Sequence, residues 1–466
     1  MTAMDFQLGM TIVSRETIKP SSPTPQHLLT RTLSWIDQVV LPAYSGLVLF
    51  YLQGADEGSC GANSTSGKLL PLKQSLSESL ALYFPLAGRL DGTGATVNCH
   101  DEGIDFIQAR ARCPLSTVLQ QPDAGMMDIL LPCARRCDAA GCQEPLLIVK
   151  ITTFECGGMA LGFCHHHTVA DGQSMALFLE TWSAIARGVP SAEVRRPALD
   201  VAAWAFPPLR RPPPTSGMPS AGRQVVTRRF VLDGSKICAL REQSAGDDHA
   251  RRSDRQLTRV EAVTALIWRC CIRAASSSSG DQGGAASGEF AAGHIVDLRS
   301  RVRPALPETA FGNVASMVLT EAISCTSTTP LRRLTEQQIS AAIRQVDGKY
   351  VRENLQDPEG LLAGRSRVGE YVRRGVKFVC FSSLWGFPFY EADFGWGRPA
   401  WVARAGLEAL QLEGCVTLMG RREGGAAVEA WVGLSEEEMA RFQQDPELLS
   451  ILLPSDVDPV FWTSST

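Results

Sequence analysis

The sequence predicts an α/β protein built as two sheet-containing domains. Three observations carry that prediction. Apolar runs of strand length alternate with longer runs of helical spacing in both halves of the chain. A proline-dense stretch at 190–224 separates the halves. The 466 residues, 44% of them hydrophobic, suffice for two or three domains with cores of their own.

Taken in order, Thr11-Ile-Val-Ser14 reads as a first strand, followed by a turn-rich lead-in from Pro20 to Pro25. Leu47-Val-Leu-Phe-Tyr51 is a β-rich run of buried-strand type. Gly54 to Gly67 reads as a polar loop. Leu72, Leu76, Leu80 and Tyr83 recur at helical spacing, and Pro85 ends that helix. Leu146-Leu-Ile-Val-Lys-Ile151 is a strand, turned through Cys156-Gly-Gly158 into the apolar run Met159–Cys164. Gln173–Trp182 has an amphipathic helical pattern.

Eight prolines between Pro190 and Pro219 then predict an extended, helix-poor crossover packed along the surface. The second half opens with the strand Val225–Leu232. Thr258 and Glu261 form a T-x-x-E capping box, and Val263, Leu266, Ile267, Cys270 and Cys271 follow on one helical face. Ala274–Gly288, rich in Ser and Gly, reads as a mobile loop. His294–Leu298 and Ala426–Val432 are strands, and Ser435 begins a final helix. The predicted divisions are therefore 1–189, the crossover 190–224, and 225–466.

Net charge is −4, from 45 Lys+Arg against 49 Asp+Glu, so no basic excess points to nucleic acid. The 14 cysteines are scattered, several within apolar runs, which fits buried free thiols in a reducing compartment better than a disulfide framework. No signal-peptide pattern opens the chain and no apolar run spans a bilayer; the expected address is the cytoplasm. There is no P-loop and no G-x-G-x-x-G after a strand, so no bound nucleotide cofactor is expected.

The most informative run is His165–Gly172, HHHTVADG, between the Met159–Cys164 strand and the following helix. A neutral imidazole at a strand exit can take a proton from an alcohol or an amine. Alternation places His165 and His167 on one face and His166 on the other. His167 is the candidate base, with Asp171 four residues on. Asp171 either orients the ring or turns away to brace the loop through an arginine. A histidine run of this kind is more often a surface loop. A zinc site is not expected: His167 and Asp171 lack an H-E-x-x-H context, and Cys133, Cys137 and Cys142 lie in a loop-like stretch.

A second run, Asp393-Phe-Gly-Trp-Gly397, changes the balance. Together with His167-Thr-Val-Ala-Asp171-Gly172 it resembles the plant BAHD acyltransferases, which are acyl-CoA-dependent and act on alcohols and amines. The resemblance covers essentially the whole chain, with further matches at Tyr83–Arg89, Leu257–Ala262, Asp297–Arg301 and Phe311–Asn313. Ser14–Pro25 and Leu298–Asn313 look most like the vinorine synthase-like branch. The resemblance implies two chloramphenicol acetyltransferase-like domains, each a mixed β-sheet with flanking helices, joined by a long crossover. It implies O-acyl transfer, from acetyl-CoA as the branch expectation, to a small-molecule alcohol such as an alkaloid or terpenoid, by a monomer with no permanently bound cofactor. N-acyl transfer to an amine and non-catalytic binding of CoA esters are the alternatives. A carrier-protein condensation domain would need an adjoining module that 466 residues cannot hold.

Carried over by position, His167 resembles the general base and Asp171 its structural partner, paired with Arg299 first and Arg301 second. Asp393, with Gly395 and Gly397, resembles a structural aspartate holding the loop that carries Trp396. Asn313, Ser382 and Trp396 would form the tunnel floor and wall, with the Trp396 N–H or the Ser382 hydroxyl as oxyanion donors. From residue chemistry, the helix start at Thr258 and Arg259 is the candidate for the CoA phosphates, with Asn313 beside it. Tyr44, Ser45 and Trp385 are candidates for the acceptor wall. Gly386 stands where relatives acting on shikimate or quinate carry a carboxylate-binding arginine, which argues against those acceptors. Leu384 stands where the family often has tryptophan, so no role borrowed from that indole applies.

Overall fold

The structure is a computed structural model. It describes residues 8–53, 63–120, 122–132, 143–209, 224–246, 256–276, 288–324, 327–356, 367–406, 411–422 and 427–453. The strands of the first half are β1 (Thr11–Ile18), β2 (Thr30–Thr32), β3 (Tyr44–Tyr51), β4 (Arg89–Leu90), β5 (Thr96–Asn98), β6 (Ile104–Ala111), β7 (Leu147–Phe154) and β8 (Met159–His166). Those of the second are β9 (Val225–Leu232), β10 (Glu289–Asp297), β11 (Ala315–Leu319), β12 (Ile323–Ser324), β13 (Lys377–Ser383), β14 (Trp401–Ala405), β15 (Cys415–Gly420) and β16 (Val428–Ser435).

They form two large mixed sheets and a small one. The first sheet runs β1-β6-β7-β8-β3-β14, with β6 and β7 parallel and the other pairs antiparallel. The second runs β11-β10-β13-β15-β16-β9, with β12 on β10 and parallel pairs at β10–β13 and β13–β15. β2, β5 and β4 make the third. The α/β expectation with mixed sheets therefore holds.

The central strands are buried on both faces, so they read as continuous apolar runs without alternation. All eight residues of β8 are buried. Gly162 sits in it because the Leu130–Leu131 turn crosses the strand there. A Cβ at Gly162 would lie 2.3 Å from the Leu130 carbonyl oxygen, and one at Gly46 on β3 would lie 2.8 Å from Leu131 Cδ1. The Gly172–Ala186 helix follows, and its buried residues Met175, Leu177, Phe178, Leu179 and Trp182 join the first core.

The division in sequence does not divide the sheets. β14 comes from the second half yet pairs with β3, and the segment before it packs Phe389, Ala392 and Phe394 into the first core. Trp401 on β14 stacks on Phe50 of the first sheet at 5.1 Å while its Nε1–H donates to the buried Glu429 of the second at 3.2 Å. Glu429 is fully buried and is paired with Arg229 at 2.7 Å. A further core joins Trp35 and Ile36 of the first half to Phe206, Val296, Leu298 and Val314. The 190–224 crossover carries the short Val201–Ala205 helix, whose Ala202 and Ala205 enter that core.

Two local readings need correction. The loop expected over Gly54–Gly67 is helical from Asn63, where a helix runs to Leu82 through Pro71. The helix beginning after Ser435 ends at Phe442, and a second, Pro446–Ile451, follows. The Cys133–Cys142 stretch and residues 277–287 of the predicted mobile loop lie outside the described residues. No helix among the described residues is long and apolar enough to cross a membrane.

Candidate active site

β8 ends at His166, and His167–Val169 forms a short 3-10 turn before the Gly172–Ala186 helix. The three histidines meet different surroundings. His165 is buried, its Nε2 3.1 Å from the Ala170 carbonyl oxygen, and burial drives its pKa well below the usual value. His166 is buried on the other face against Tyr44, ring to ring at 5.7 Å, and burial pushes its pKa down to about 4. His167 alone is only partly buried, with its ring 5.9 Å from that of His165.

Its surroundings lower the His167 pKa. Packing disfavours the cation and Arg404 adds to the effect, while its own carbonyl, Asp171 and Asn313 work the other way. The imidazole is thus neutral at pH 7, the form a base requires. The His167 N–H donates to the Ala43 oxygen at 2.9 Å, and its carbonyl accepts from Asn313 Nδ2 at 2.8 Å.

Asp171 turns away from the imidazole. It caps the helix by accepting the Ser174 N–H at 2.9 Å and also accepts the Val314 N–H at 3.1 Å. Arg299 meets it through both terminal nitrogens, at 2.9 and 3.0 Å, and donates to the Ala310 oxygen as well. Burial alone would raise the Asp171 pKa, but the Arg299 charge and these hydrogen bonds outweigh it and hold the carboxyl below its usual range. Of the two arginines weighed, Arg299 makes this pair. Arg301 caps the Leu331–Arg344 helix instead, donating to the Ile343 and Val346 oxygens.

Gly172 explains itself by contact. A Cβ there would stand 2.6 Å from Leu384 Cδ2 and 2.9 Å from Phe387 Cε2, so the loop after β13 rests directly on the helix start. Gly172→Ala is expected to cost about 1–3 kcal/mol by overpacking this contact between the halves, read as a lowered Tm. A substitution with an unchanged Tm would mean the loop yields freely.

The remaining sequence candidates meet different surroundings. Ser45 is half-buried and lies across from His165, on the His167 side of the sheet. Ser382 is half-buried at the end of β13 with its hydroxyl 3.2 Å from Thr417 Oγ1. Trp385 is half-buried beside Gly420. Tyr44 is not part of the acceptor wall: it is 1% exposed, faces His166, and donates its hydroxyl to the Pro145 oxygen.

Trp396 is not an oxyanion donor. Its ring lies 6.0 Å from Tyr51, which pairs with Met159 at the far end of β8, whereas Tyr44 pairs with His166. Seven residues of strand separate those ends by roughly 23 Å. Asp393 accepts the Gly395 and Gly397 amides at 2.8 and 3.0 Å, and both glycines have positive φ, so this loop is a self-held turn. Arg187, at the C-terminal end of the Gly172–Ala186 helix, donates to the Asp393 carbonyl oxygen. A cleft of about 580 Å³ opens there, lined by Glu180, Arg187, Arg195, Asp393 and Arg398, with His167 at the opposite end of the helix.

Two expectations about CoA also change. Asn313 is 2% exposed and its side-chain N–H groups go to Asp37 Oδ1 and the His167 oxygen, which leaves none for CoA. Thr258 is committed to its capping box. Its amide donates to Glu261 Oε2 at 2.6 Å and its hydroxyl accepts the Glu261 N–H at 3.2 Å. A carboxylate already occupies that helix start and would repel phosphate. Arg259 beside it is exposed. Among the described residues one trio with ligand atoms close enough to share an ion, Cys270, Asp445 and Glu447, is already neutralised by Arg269 and Arg273.

Sequence reasoning missed Arg31, Asp37 and Arg404. Ser34 and Asp37 form a capping box whose S-x-x-D spacing was readable. Its long-range bond to Asn313 left no local signal. Arg404 is carried to the histidines by β14, a strand absent from the sequence reading.

The chain matches the model of the Transferase family over residues 8–449. It is 34% identical over 454 residues to limonoid 1-O-acetyltransferase of Citrus sinensis, covering 94% of this chain and 97% of that protein. It is 32% identical to stemmadenine O-acetyltransferase of Catharanthus roseus, covering 95% and 98%. Against the crystal structure of vinorine synthase the TM-score is 0.78 at 33% identity, over 95% of this chain and 98% of that one. The F. sporotrichioides TRI101 structure shares the fold, with TM-score 0.68 at 16% identity, over 91% of this chain and 99% of that one.

Proposed function

The chain belongs to the BAHD family of acyl-CoA-dependent acyltransferases, in its vinorine synthase-like branch, and from that premise we propose that it transfers an acyl group, acetyl first among them, from CoA to a hydroxyl of a plant specialised metabolite, with His167 as general base. One observation supports the role most: of three consecutive histidines, His167 alone combines partial exposure with a neutral ring.

In this reading His167 takes the proton of the acceptor hydroxyl as the oxygen attacks the thioester carbonyl carbon. The tetrahedral intermediate collapses with cleavage of the C–S bond, and the imidazolium returns the proton to the departing thiolate. Ser382 is the remaining candidate donor to the oxyanion. Nδ1 of His167 is buried, which leaves Nε2 as the nitrogen for the exchange. Asp171 and Arg299 hold the turn and take no proton.

Acetyl-CoA and longer acyl-CoAs, each incubated with a panel of metabolite alcohols and amines, test this by product mass. Ester from acetyl-CoA is expected, with no product from shikimate or quinate. Amide as the sole product would turn the reading to N-acyl transfer, and no product from any pair would count against turnover.

The lowered His167 pKa fixes the sign of the pH dependence. The base form persists below the ordinary histidine value of about 6.5. The acid limb of kcat/KM is therefore expected below pH 6.5, with activity lost as pH falls through the lowered pKa. A limb above 6.5 would contradict this environment.

A further inference from the structure

Asp37 lies beneath the His167 turn, 1% exposed, and no step of the proposed reaction touches it. A buried carboxylate costs several kcal/mol unless its oxygens are satisfied. Here four donors converge on it. Oδ2 accepts the Ser34 N–H at 3.0 Å and the Ser34 hydroxyl at 2.7 Å. Oδ1 accepts the Asn313 N–H at 2.6 Å and Asn313 Nδ2 at 2.9 Å. Burial raises the Asp37 pKa, while the Asn313 N–H, the Arg31 charge, Ser34 and the Asn313 side chain pull it back down; the four donors satisfy its oxygens as a carboxylate.

Asn313 Nδ2 carries two hydrogens. One goes to Asp37 and the other to the His167 carbonyl oxygen, 2.8 Å away. The amide cannot be turned over, because its oxygen would then face a carboxylate and a carbonyl with no hydrogen between them. Gly312 makes the approach possible: its φ of +130° lets both nitrogens of Asn313 reach one oxygen. On the other side the His167 N–H is tied to Ala43. The backbone of His167 is thus clamped between the two halves of the chain.

We infer that Asp37 and Asn313 are a positioning pair that fixes the His167 backbone, and through it the imidazole, in the geometry of acyl transfer. The inference rests on His167 being the base. A carboxylate is used because it aims both Asn313 donors at once, and the second Nδ2 hydrogen is left pointing in one direction only. Asn313 also raises the basicity of the ring it supports.

Two readouts test the pair. The pH dependence of His167 carbethoxylation by diethyl pyrocarbonate, followed by peptide mass, reports its ionisation without any acceptor. Turnover is read from ester formed with acetyl-CoA and the alcohol found in the panel. Asn313→Ala keeps its backbone N–H for Asp37 and deletes Nδ2. It is expected to move the His167 midpoint to lower pH by about half to one unit. It should also lower kcat about 10–100-fold with KM for acetyl-CoA within about twofold. Asp37→Asn should shift both in the same direction, and serves if the first variant fails to fold.

The exchange Asp37→Asn with Asn313→Asp separates positioning from packing. It rebuilds a hydrogen-bonded pair but puts a carboxylate, which cannot donate, against the His167 oxygen. Tm should recover relative to Asn313→Asp alone while kcat stays low. Recovery of both would overturn the inference, as would folded Asn313→Ala or Asp37→Asn with a wild-type midpoint and kcat. Full turnover in His167→Ala would instead remove His167 as the base on which the inference rests, with the midpoint shift left standing as evidence of the contact alone.

Discussion

His167→Ala is expected to lose about two to four orders of magnitude in kcat/KM, which is about 3–5 kcal/mol of transition-state stabilisation. The loss should be near the top of that range because neither neighbour can substitute. His165 is buried, its Nε2 lies against the Ala170 oxygen, and burial keeps it neutral. His166 faces the opposite side of the sheet against Tyr44. Water alone would then have to take the acceptor proton. Stability should change little, because His167 Nδ1 makes no hydrogen bond that the substitution would break. Kinetics from product mass, alongside Tm, separate the two effects. The truncation leaves a space at the open edge, so free imidazole should restore part of the rate. A well-folded variant with full turnover would remove His167 from the reaction.

What the sequence made legible was local. The strand–turn–helix around HHHTVADG is readable because a continuous apolar run meets an N-cap aspartate and an amphipathic helix within about twenty residues. The Thr258–Glu261 box is readable for the same reason, since donor and acceptor are three residues apart. Failures were long-range. Nothing in DFGWG says that it packs against the end of the Gly172–Ala186 helix distant from His167, and the family resemblance puts its indole in a shared tunnel wall. Tyr44 and Ser45 are adjacent, and one peptide's rotation decides which faces the base. Asn313 reads in sequence as a CoA contact and part of the tunnel floor, whereas its two amide hydrogens are consumed by Asp37 and the His167 carbonyl. β14 returns to the first sheet with Arg404 opposite Leu47, and the Arg404 side chain donates to the Gly46 oxygen 358 residues away, which no periodicity encodes.

Arg299→Leu is expected to destabilise the fold by about 3–5 kcal/mol, because it strands a buried charge. Asp171 would keep only the Ser174 and Val314 amides, and the Ala310 carbonyl would lose its donor too. The pH dependence identifies the cause. In the wild type the Asp171 pKa is lowered, so its contribution is fully present above the ordinary carboxylate value and is lost as pH falls through the lowered one. Without Arg299, burial is opposed only by two amides, and the pKa should rise above the ordinary value. Stability of the variant is then lost as pH rises through that raised pKa. The gap in Tm between wild type and variant should therefore be wider at about pH 8 than at about pH 5. Adding Asp171→Asn should narrow the gap at the higher pH by removing the stranded charge while keeping the helix cap. Activity should fall with the fold, since Asp171 is the N-cap of the helix that follows His167. A gap in Tm that stays constant between the two pH values would show that Arg299 acts through packing rather than through the charge of Asp171.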